Sequence, residues 1–342
     1  MSDGAVVRDL HRPAAPPCRR PPFPDGWFRV ASSADLPRGS VRPLRYFGRD
    51  LVAFRSSTDE VRVLDAHCPH LGAHLGHGGR VEGESIRCPF HGWRFDADGR
   101  CVEIPNARRI PSRAEVRAWP VHEVNGMVMV YHHARADAPS WRVPAMPEMA
   151  TAEWTPWRRG AEWRLGCHIQ DIAENGIDTG HMPLVHATQT SAITSECLEP
   201  RGPMLVHTMN HVYRLFPLAR WLGLRVDGPL VITYHGLGCA VNRALVTAGV
   251  RLQYLFLFTF TPVDEEVVEI CSQLSMKRLR NPLLTWGLTR KALREGRRTI
   301  DQDVPIFEHK IHRAEPLLTE RDGPIMQYRR WAAQFYSELA HP

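Results

Sequence analysis

Cys68-Pro69-His70, followed after 17 intervening residues by Cys88-Pro89-Phe90-His91, is the stretch on which the reading of this chain turns. Each knuckle offers one thiolate and one imidazole. A [2Fe–2S] cluster with two Cys on one iron and two His on the other needs that donor set. Neutral imidazoles in place of two thiolates leave the cluster less negative. Its reduction potential rises accordingly, which suits it to take electrons from a low-potential donor and pass them on. Gly72, Gly76, Gly78 and Gly79 follow the first pair, and Gly92-Trp93 follows the second. Glycines let backbone N–H groups approach cluster sulfurs, and Trp93 can shield the cluster from water. A zinc tetrahedron is the alternative for two Cys and two His, but zinc modules usually pair Cys with Cys and His with His. His67, His74 and His77 complete neither pair, and Cys101 reads as a buried thiol.

Outward from these knuckles, Gly26 to Tyr131 has the rhythm of a small all-β domain. Trp27–Val30, Leu51–Phe54, Val61–Leu64, Ser85–Cys88, Val116–Trp119 and Val128–Tyr131 are its apolar runs, separated by Gly, Pro and Asp. Ala134 to Pro147, with three prolines, reads as a boundary. The expected division is a disordered leader over 1–22, a cluster domain over 23–135 and a second domain over 136–342. That second domain reads as α+β. Helices are expected over Ile172–Leu184 and Leu283–Ile300. Strands of one sheet are expected at Leu230–Tyr234, Leu252–Phe260 and Val267–Leu274. Tyr328, Trp331, Ala332, Phe335, Tyr336 and Leu339 follow the spacing of one apolar helix face.

Bulk properties exclude several classes. An apolar fraction of 43% and a charged fraction of 23% are ordinary for a globular protein. No stretch approaches the roughly 18 apolar residues of a membrane span, and Met1–Pro22 has no apolar signal core. A cytoplasmic location is expected. The net charge of +6 comes from scattered Arg. It forms no basic stripe of the kind nucleic acid needs, but suits docking of an acidic redox partner. Eight widely spread Cys without a secretion signal argue for reduced thiols, some of them metal ligands.

A second constellation lies in Glu174-Asn175-Gly176-Ile177-Asp178-Thr179-Gly180-His181-Met182-Pro183-Leu184-Val185-His186. Asn175, Asp178 and His181, spaced by three, share a face if the segment is helical. His186 would be rotated away on a regular helix. Pro183, unable to donate to the carbonyl of Thr179, is expected to distort the helix between the two His. Two His and one carboxylate with open positions make a non-haem Fe(II) site for O₂. Asp303, just beyond the second expected helix, is the chosen third ligand, with Asp301 its close competitor. In isolation, a His pair beside a proline is more often structural.

At these residues the chain resembles the Rieske oxygenases. Ala73 and Phe90 stand where some Rieske electron carriers have the Cys of a disulfide clip, which favours the oxygenase-like branch. Gly26-Trp27-Phe28, Asp65 through Ala73, Ile104-Pro105, Gln170-x-x-x-Glu174-Asn175, and Gly323-Pro324 through Arg330-Trp331-x-x-Gln334-Phe335-Tyr336 look most like the steroid-active branch. That branch includes the oxygenase component of 3-ketosteroid 9α-hydroxylase and the cholesterol 7-desaturases. The resemblance implies an N-terminal Rieske [2Fe–2S] domain and a catalytic domain built on a central antiparallel sheet, helix-grip-like. It implies one cluster per subunit on Cys68, His70, Cys88 and His91, and one Fe(II) on His181, His186 and Asp303. Asp178 would then be no ligand. It would hydrogen-bond His181 and, across a subunit interface, His91, as the electron bridge of a head-to-tail homotrimer. Asn175 would stand in the iron's outer shell.

Electrons would come from NAD(P)H through a separate reductase, with or without a ferredoxin. With O₂ they would drive hydroxylation of a lipophilic polycyclic substrate, a steroid or sterol. Desaturation and oxidative ring closure are alternatives at the same site, and Tyr254–Phe260 could line the pocket. A Rieske electron carrier or redox sensor lacking the mononuclear iron is the reading from another class. Animal sterol desaturases of this type begin with a membrane segment, and this chain looks like the soluble bacterial form.

Overall fold

Short runs of alternating apolar residues form short strands, and the first half of the chain is built from them. The computed structural model describes residues 20–187, 190–213, 227–248 and 250–337. One small sheet has the order β2-β3-β4-β9, with β2 Val41–Tyr46, β3 Arg49–Arg55, β4 Val61–Asp65 and β9 Ala118–Trp119. Another has the order β5-β6-β7-β8: Arg80–Glu82, Ser85–Arg87, Arg94–Phe95 and Cys101–Glu103. The Cys68 loop leads into β5 and the Cys88 loop joins β6 to β7. Phe54, Leu64, Leu75, Ile86 and Phe95 close one apolar cluster around Cys68 and Cys88.

The third sheet places β11 (Met127–His132) between β1 (Gly26–Ser32) and β10 (Val121–Val124). It joins the two halves of the chain. Phe28, Val30, Phe47 and Trp119 share a core with Phe260, Val263, Ile270 and Tyr328. Across this seam Phe47 N–H donates to Pro262 O at 3.0 Å and Gly48 N–H to Val263 O at 2.9 Å. The buried Arg29 guanidinium lies 3.5 Å from both Glu162 and Glu269.

The second half is a seven-stranded antiparallel sheet in the order β12-β18-β17-β16-β15-β14-β13. Its strands are β12 Arg158–Leu165, β13 Thr190–Arg201, β14 Met204–Tyr213, β15 Asp227–His235, β16 Cys239–Ala248, β17 Val250–Asp264 and β18 Val267–Met276. Along β17 the side chains alternate between faces. Leu255 and Leu257 pack with Trp27 and Met129 of the first half. Tyr254, Phe256 and Phe258 stay half-buried on the other face. A long helix, α3 (Pro282–His309), crosses that face, and a Cβ on its Gly296 would stand 2.9 Å from the Phe256 ring.

The α+β class, the all-β first domain and the antiparallel sheet of the second agree with the sequence expectation. The helices differ. Ile172–Leu184 is two helices, α1 (Ile169–Asn175) and α2 (Met182–Val185), separated by turns. Pro183 opens α2 in its first turn, where a missing donor costs nothing, so it starts a helix and does not bend one. α3 continues past Ile300, through Pro305 to His309. A proline near a helix end forfeits one bond to the carbonyl four residues earlier and need not stop it. The last helix, α4 (Ile325–Ala332), passes into a 3₁₀ turn over Ala333–Phe335, and Leu339 lies outside the described residues.

Residues 1–19 of the expected leader also lie outside the described residues. Arg20, near its end, is held by Asp171 of α1 through two bonds of 2.9 Å. Of the expected boundary, Val143 and Met146 are buried against Trp27 and Met129.

α1 is clamped from the C-terminal side. Arg329 of α4 makes a two-pronged ion pair with Glu174, at 2.7 and 2.9 Å, and the Tyr328 hydroxyl donates to Gln170 O at 3.2 Å. Both charges of the pair are largely buried. Arg329→Met, which strands the Glu174 carboxylate, is expected to cost about 3 kcal/mol, read from chemical denaturation. A loss below about 1 kcal/mol would remove the clamp from the account.

Candidate metal centres

The two knuckles of the first domain have the same local fold. Cys68 N–H donates to Ala73 O at 2.9 Å and Gly72 N–H returns to Cys68 O at 3.0 Å. In the second loop Cys88 N–H donates to Trp93 O at 2.7 Å and Gly92 N–H to Cys88 O at 3.2 Å. Each loop closes through a left-handed glycine, Gly72 at φ 75° and Gly92 at φ 73°, a region that disfavours side chains. The closure buries both thiols and leaves both imidazoles at the surface. The His70 and His91 rings stand 4.6 Å apart, and Trp93 stacks on His70 at 4.7 Å with planes 7° apart.

Burial pushes the Cys68 thiol up to about 11, the nearby Cys88 adding to this while a backbone bond at His70 pulls the other way. A thiol so raised ionises readily only with a cation to share the charge. The donor set therefore fits a cluster. His67, His74 and His77 form a separate surface row, rings 5.1 and 4.5 Å apart, with His67 on Asp50. Cys101 is buried and donates to Glu103 O.

In the second domain a run of turns separates α1 from α2. A Cβ on Gly176 would lie 2.2 Å from the Tyr234 hydroxyl, and one on Gly180 would lie 2.7 Å from Arg321 O. The turns between the helices thus fit between β15 and the C-terminal segment. Thr179 donates to Glu196 at 3.2 Å, and Glu196 stands 2.7 Å from the fully buried His207. His181 and His186 come to flank α2, their rings 5.1 Å apart.

Asp303 arrives from the last turns of α3. Its Oδ1 is 3.4 Å from His186 Nε2 and 3.9 Å from His181 Nε2. Ligand atoms of the three residues all fall within 4.8 Å of one another. Asp303 Oδ1 is buried and makes no hydrogen bond. A cation about 2.1 Å from each donor would hold them about 3 Å apart, so a small inward shift suffices. Asp301 is elsewhere. It is exposed, accepts from Trp163 Nε1 at 2.8 Å and pairs with Arg297 at 3.4 Å.

The surrounding residues orient the donors, as outer-shell groups do in metal sites. Asn175 Nδ2 donates to Asp303 Oδ2 at 3.2 Å and lies 3.5 Å from His181 Nε2. Asp178 Oδ2 is 3.6 Å from His181 Nδ1, while its Oδ1 accepts from Gly180 N–H. Gln302 Oε1 lies 3.0 Å from His186 Nδ1. Gln302 was not singled out from the sequence, and only its place beside Asp303 could have suggested it. Burial lowers the His186 imidazole, but Asp303 and Gln302 outweigh it and hold the group above its ordinary value. A proton and a metal compete for that nitrogen.

Comparison with known proteins places the chain in a family. The Rieske [2Fe–2S] domain matches residues 26–120, and the 3-ketosteroid 9α-hydroxylase C-terminal domain matches residues 130–336. The chain belongs to the Rieske oxygenases of the 3-ketosteroid 9α-hydroxylase family.

This Rieske oxygenase is 32% identical to a cholesterol 7-desaturase of Ciona intestinalis, over 93% of this chain and 70% of that one. It is 30% identical to the oxygenase component of a 3-ketosteroid-9-alpha-monooxygenase of Rhodococcus rhodochrous, over 98% of this chain and 86% of that one. Its fold is that of dicamba monooxygenase, with a TM-score of 0.74 at 18% identity over 92% of this chain and 98% of that one. Membership makes the protein an oxidoreductase with a [2Fe–2S] cluster, a mononuclear iron, O₂ as co-substrate and electrons from a separate reductase. The zinc reading falls with it. Among the described residues no helix is long and apolar enough to cross a membrane.

Asp303→Asn is expected to lower metal content from about three irons per chain to about two while the visible spectrum of the cluster persists. Asp301→Asn is expected to keep all the iron. The opposite pattern on metal analysis would exchange the two assignments.

Proposed function

We propose that this oxygenase hydroxylates a lipophilic polycyclic substrate, a steroid or sterol, with electrons delivered by an NAD(P)H-dependent reductase. Cys68, Cys88, His70 and His91 would hold the cluster, and His181, His186 and Asp303 the iron. Held there, the cluster supplies one-electron storage and the iron supplies O₂ activation. The convergence of the last three side chains, in a chain that also carries the two Cys–His loops, is the observation that carries the reading.

The protein's own residues do the positioning. Asn175 holds Asp303 by its outer oxygen, leaving Oδ1 free to face the two imidazoles. Gln302 fixes the ring of His186. Asp178 is half-exposed beside His181. It can accept from His181 Nδ1–H and offer its other side to His91 of the partner subunit. A head-to-tail homotrimer accounts for two exposed apolar patches. Leu71 and Phe90 flank the cluster histidines, while Leu184 lies between His181 and His186, and Ile306 lies one helical turn after Asp303. Exposed apolar groups beside redox ligands are contact surfaces for a partner.

The steroid reading rests on the relatives' names together with the half-buried stripe Tyr254, Phe256 and Phe258 beneath α3. Desaturation is the second reading, favoured by the similarity to cholesterol 7-desaturases. Incubation with a surrogate reductase, O₂ and 3-ketosteroids or sterols separates the two. Gain of oxygen in the product mass supports hydroxylation, and loss of two hydrogens supports desaturation. Inertness toward every steroid, with turnover of an unrelated polycycle, overturns the substrate class.

Asp178→Asn is expected to retain both metals and a reducible cluster while turnover falls at least ~100-fold. Wild-type turnover in that variant would remove Asp178 from the electron path.

A further inference from the structure

Two of the exposed apolar patches sit beside the metal centres. A third does not. At the N-terminal end of α3, Leu283 is 78% exposed, Leu284 51% and Trp286 55%. Twenty residues of helix separate Leu283 from Asp303, about 30 Å at helical rise. A subunit contact through Asp178 would therefore form at the other end of α3 and leave this tip uncovered.

The tip is held firmly. Asn281 caps the helix by accepting from Leu283 and Leu284 N–H at 2.9 and 3.1 Å. Thr285 and Thr289 are buried on the inner face, and Thr289 donates to Thr285 O at 2.7 Å. The capped first turn thus points its Leu and Trp side chains away from the body.

Around it the surface is rich in arginine, of which Arg159 is paired with Asp35 and Glu162. A groove of about 680 Å³ beside the tip is lined by Arg158, Arg159, Arg278, Arg280, Trp286 and Arg290 among others, with no carboxylate in its lining. Arg290 lies 4.8 Å over the Trp286 ring. Arg158, Arg280 and Arg290 form no ion pair among the described residues.

We propose that this tip is a membrane-docking site: Leu283, Leu284 and Trp286 enter the interface of an anionic phospholipid bilayer while the surrounding arginines bind lipid phosphates. Apolar residues at a protruding helix end, ringed by Arg, match an interfacial insertion. Arg reaches phosphate while its stem stays among acyl chains, and Trp settles at headgroup level. An acidic protein would also satisfy the arginines, and the vesicle experiment below separates it from a bilayer. Docking in this way would orient α3 with its insertion end in the bilayer, where a lipophilic substrate concentrates. The inference stands on the patch alone and does not depend on which lipophile is oxidised.

Metal-loaded protein should be sedimented with vesicles of phosphatidylcholine, with and without one-third phosphatidylglycerol. The wild type is expected to partition at least ~tenfold better onto the anionic vesicles, with salt reducing the difference. Leu283→Asp combined with Trp286→Asp is expected to lose at least ~tenfold of that binding while the cluster spectrum and melting temperature persist. Trp286→Phe should still bind but lose the part of the fluorescence quenched by brominated acyl chains. Absence of vesicle binding, or unchanged binding in the double variant, overturns the proposal. So does a change of oligomeric state in the lipid-free double variant, which would make the tip an interface between copies. Loss of electron uptake from the reductase without any vesicle binding would assign it to an acidic protein and overturn the proposal too.

Discussion

At Gly176, where α1 ends, the Tyr234 hydroxyl stands where a Cβ would be, so only glycine lets the chain pass this close to β15 on its way to the second centre. His181 and His186 cap the two ends of the single helical turn Met182–Val185, and across it their rings stand 5.1 Å apart. Gly180 beneath Arg321 O fixes the second half of the same path. Asp303 meets the two rings because α3 continues past Ile300 and carries it on the helix.

The charges packed around α1 serve the same placement. Asp171 takes Arg20 and Glu174 takes Arg329, so both carboxylates on this short helix are neutralised by cations from distant parts of the chain. Buried ion pairs of this kind often break even against apolar packing, and their stabilising effect is modest. Their geometry is not interchangeable with apolar contact, however. A two-pronged guanidinium–carboxylate pair fixes both angle and register. Asn175 follows Glu174 directly, and its amide must reach Asp303 Oδ2. The clamp on Glu174 is transmitted through one residue to the carboxylate facing both histidines.

What could be read from the sequence follows from where the information is local. The two Cys–His loops carry their donors, glycines and Trp93 within a few residues, and the fold closes them as the spacing implied. Strands β3, β4, β11, β17 and β18 are apolar enough to be recognised. β13 and β14 are not. Their polar residues include His207 and His211, which are buried, so burial does not show as an apolar pattern. The close approach of the Tyr234 hydroxyl to Gly176 comes from a strand some sixty residues later, and no local rule contains it. Pro183 misled because a proline is read as a breaker when its position within the helix is unknown, and it stands in the first turn of α2, where the lost donor is cheap. The third ligand could be narrowed to Asp301 or Asp303. Choosing between them required the direction of each side chain on α3: Asp301 faces Trp163 and solvent, and Asp303 faces inward.

The seam between the two halves bears on how electrons can travel. Separate domains usually move against each other unless their interface is large and apolar. Here Phe28, Phe47 and Trp119 belong to the same core as Phe260, Ile270 and Tyr328, and main-chain bonds cross between Phe47–Gly48 and Pro262–Val263. Arg29, buried between two carboxylates, would be stranded by any swing of the cluster domain. Among the described residues, this shared packing and the Arg29 pairs resist a swing of the cluster domain against the second half. His91 lies exposed on one half and Asp178 half-exposed on the other. With that swing resisted, whether those two residues meet depends on the assembly of subunits, and the proposed ring supplies the meeting.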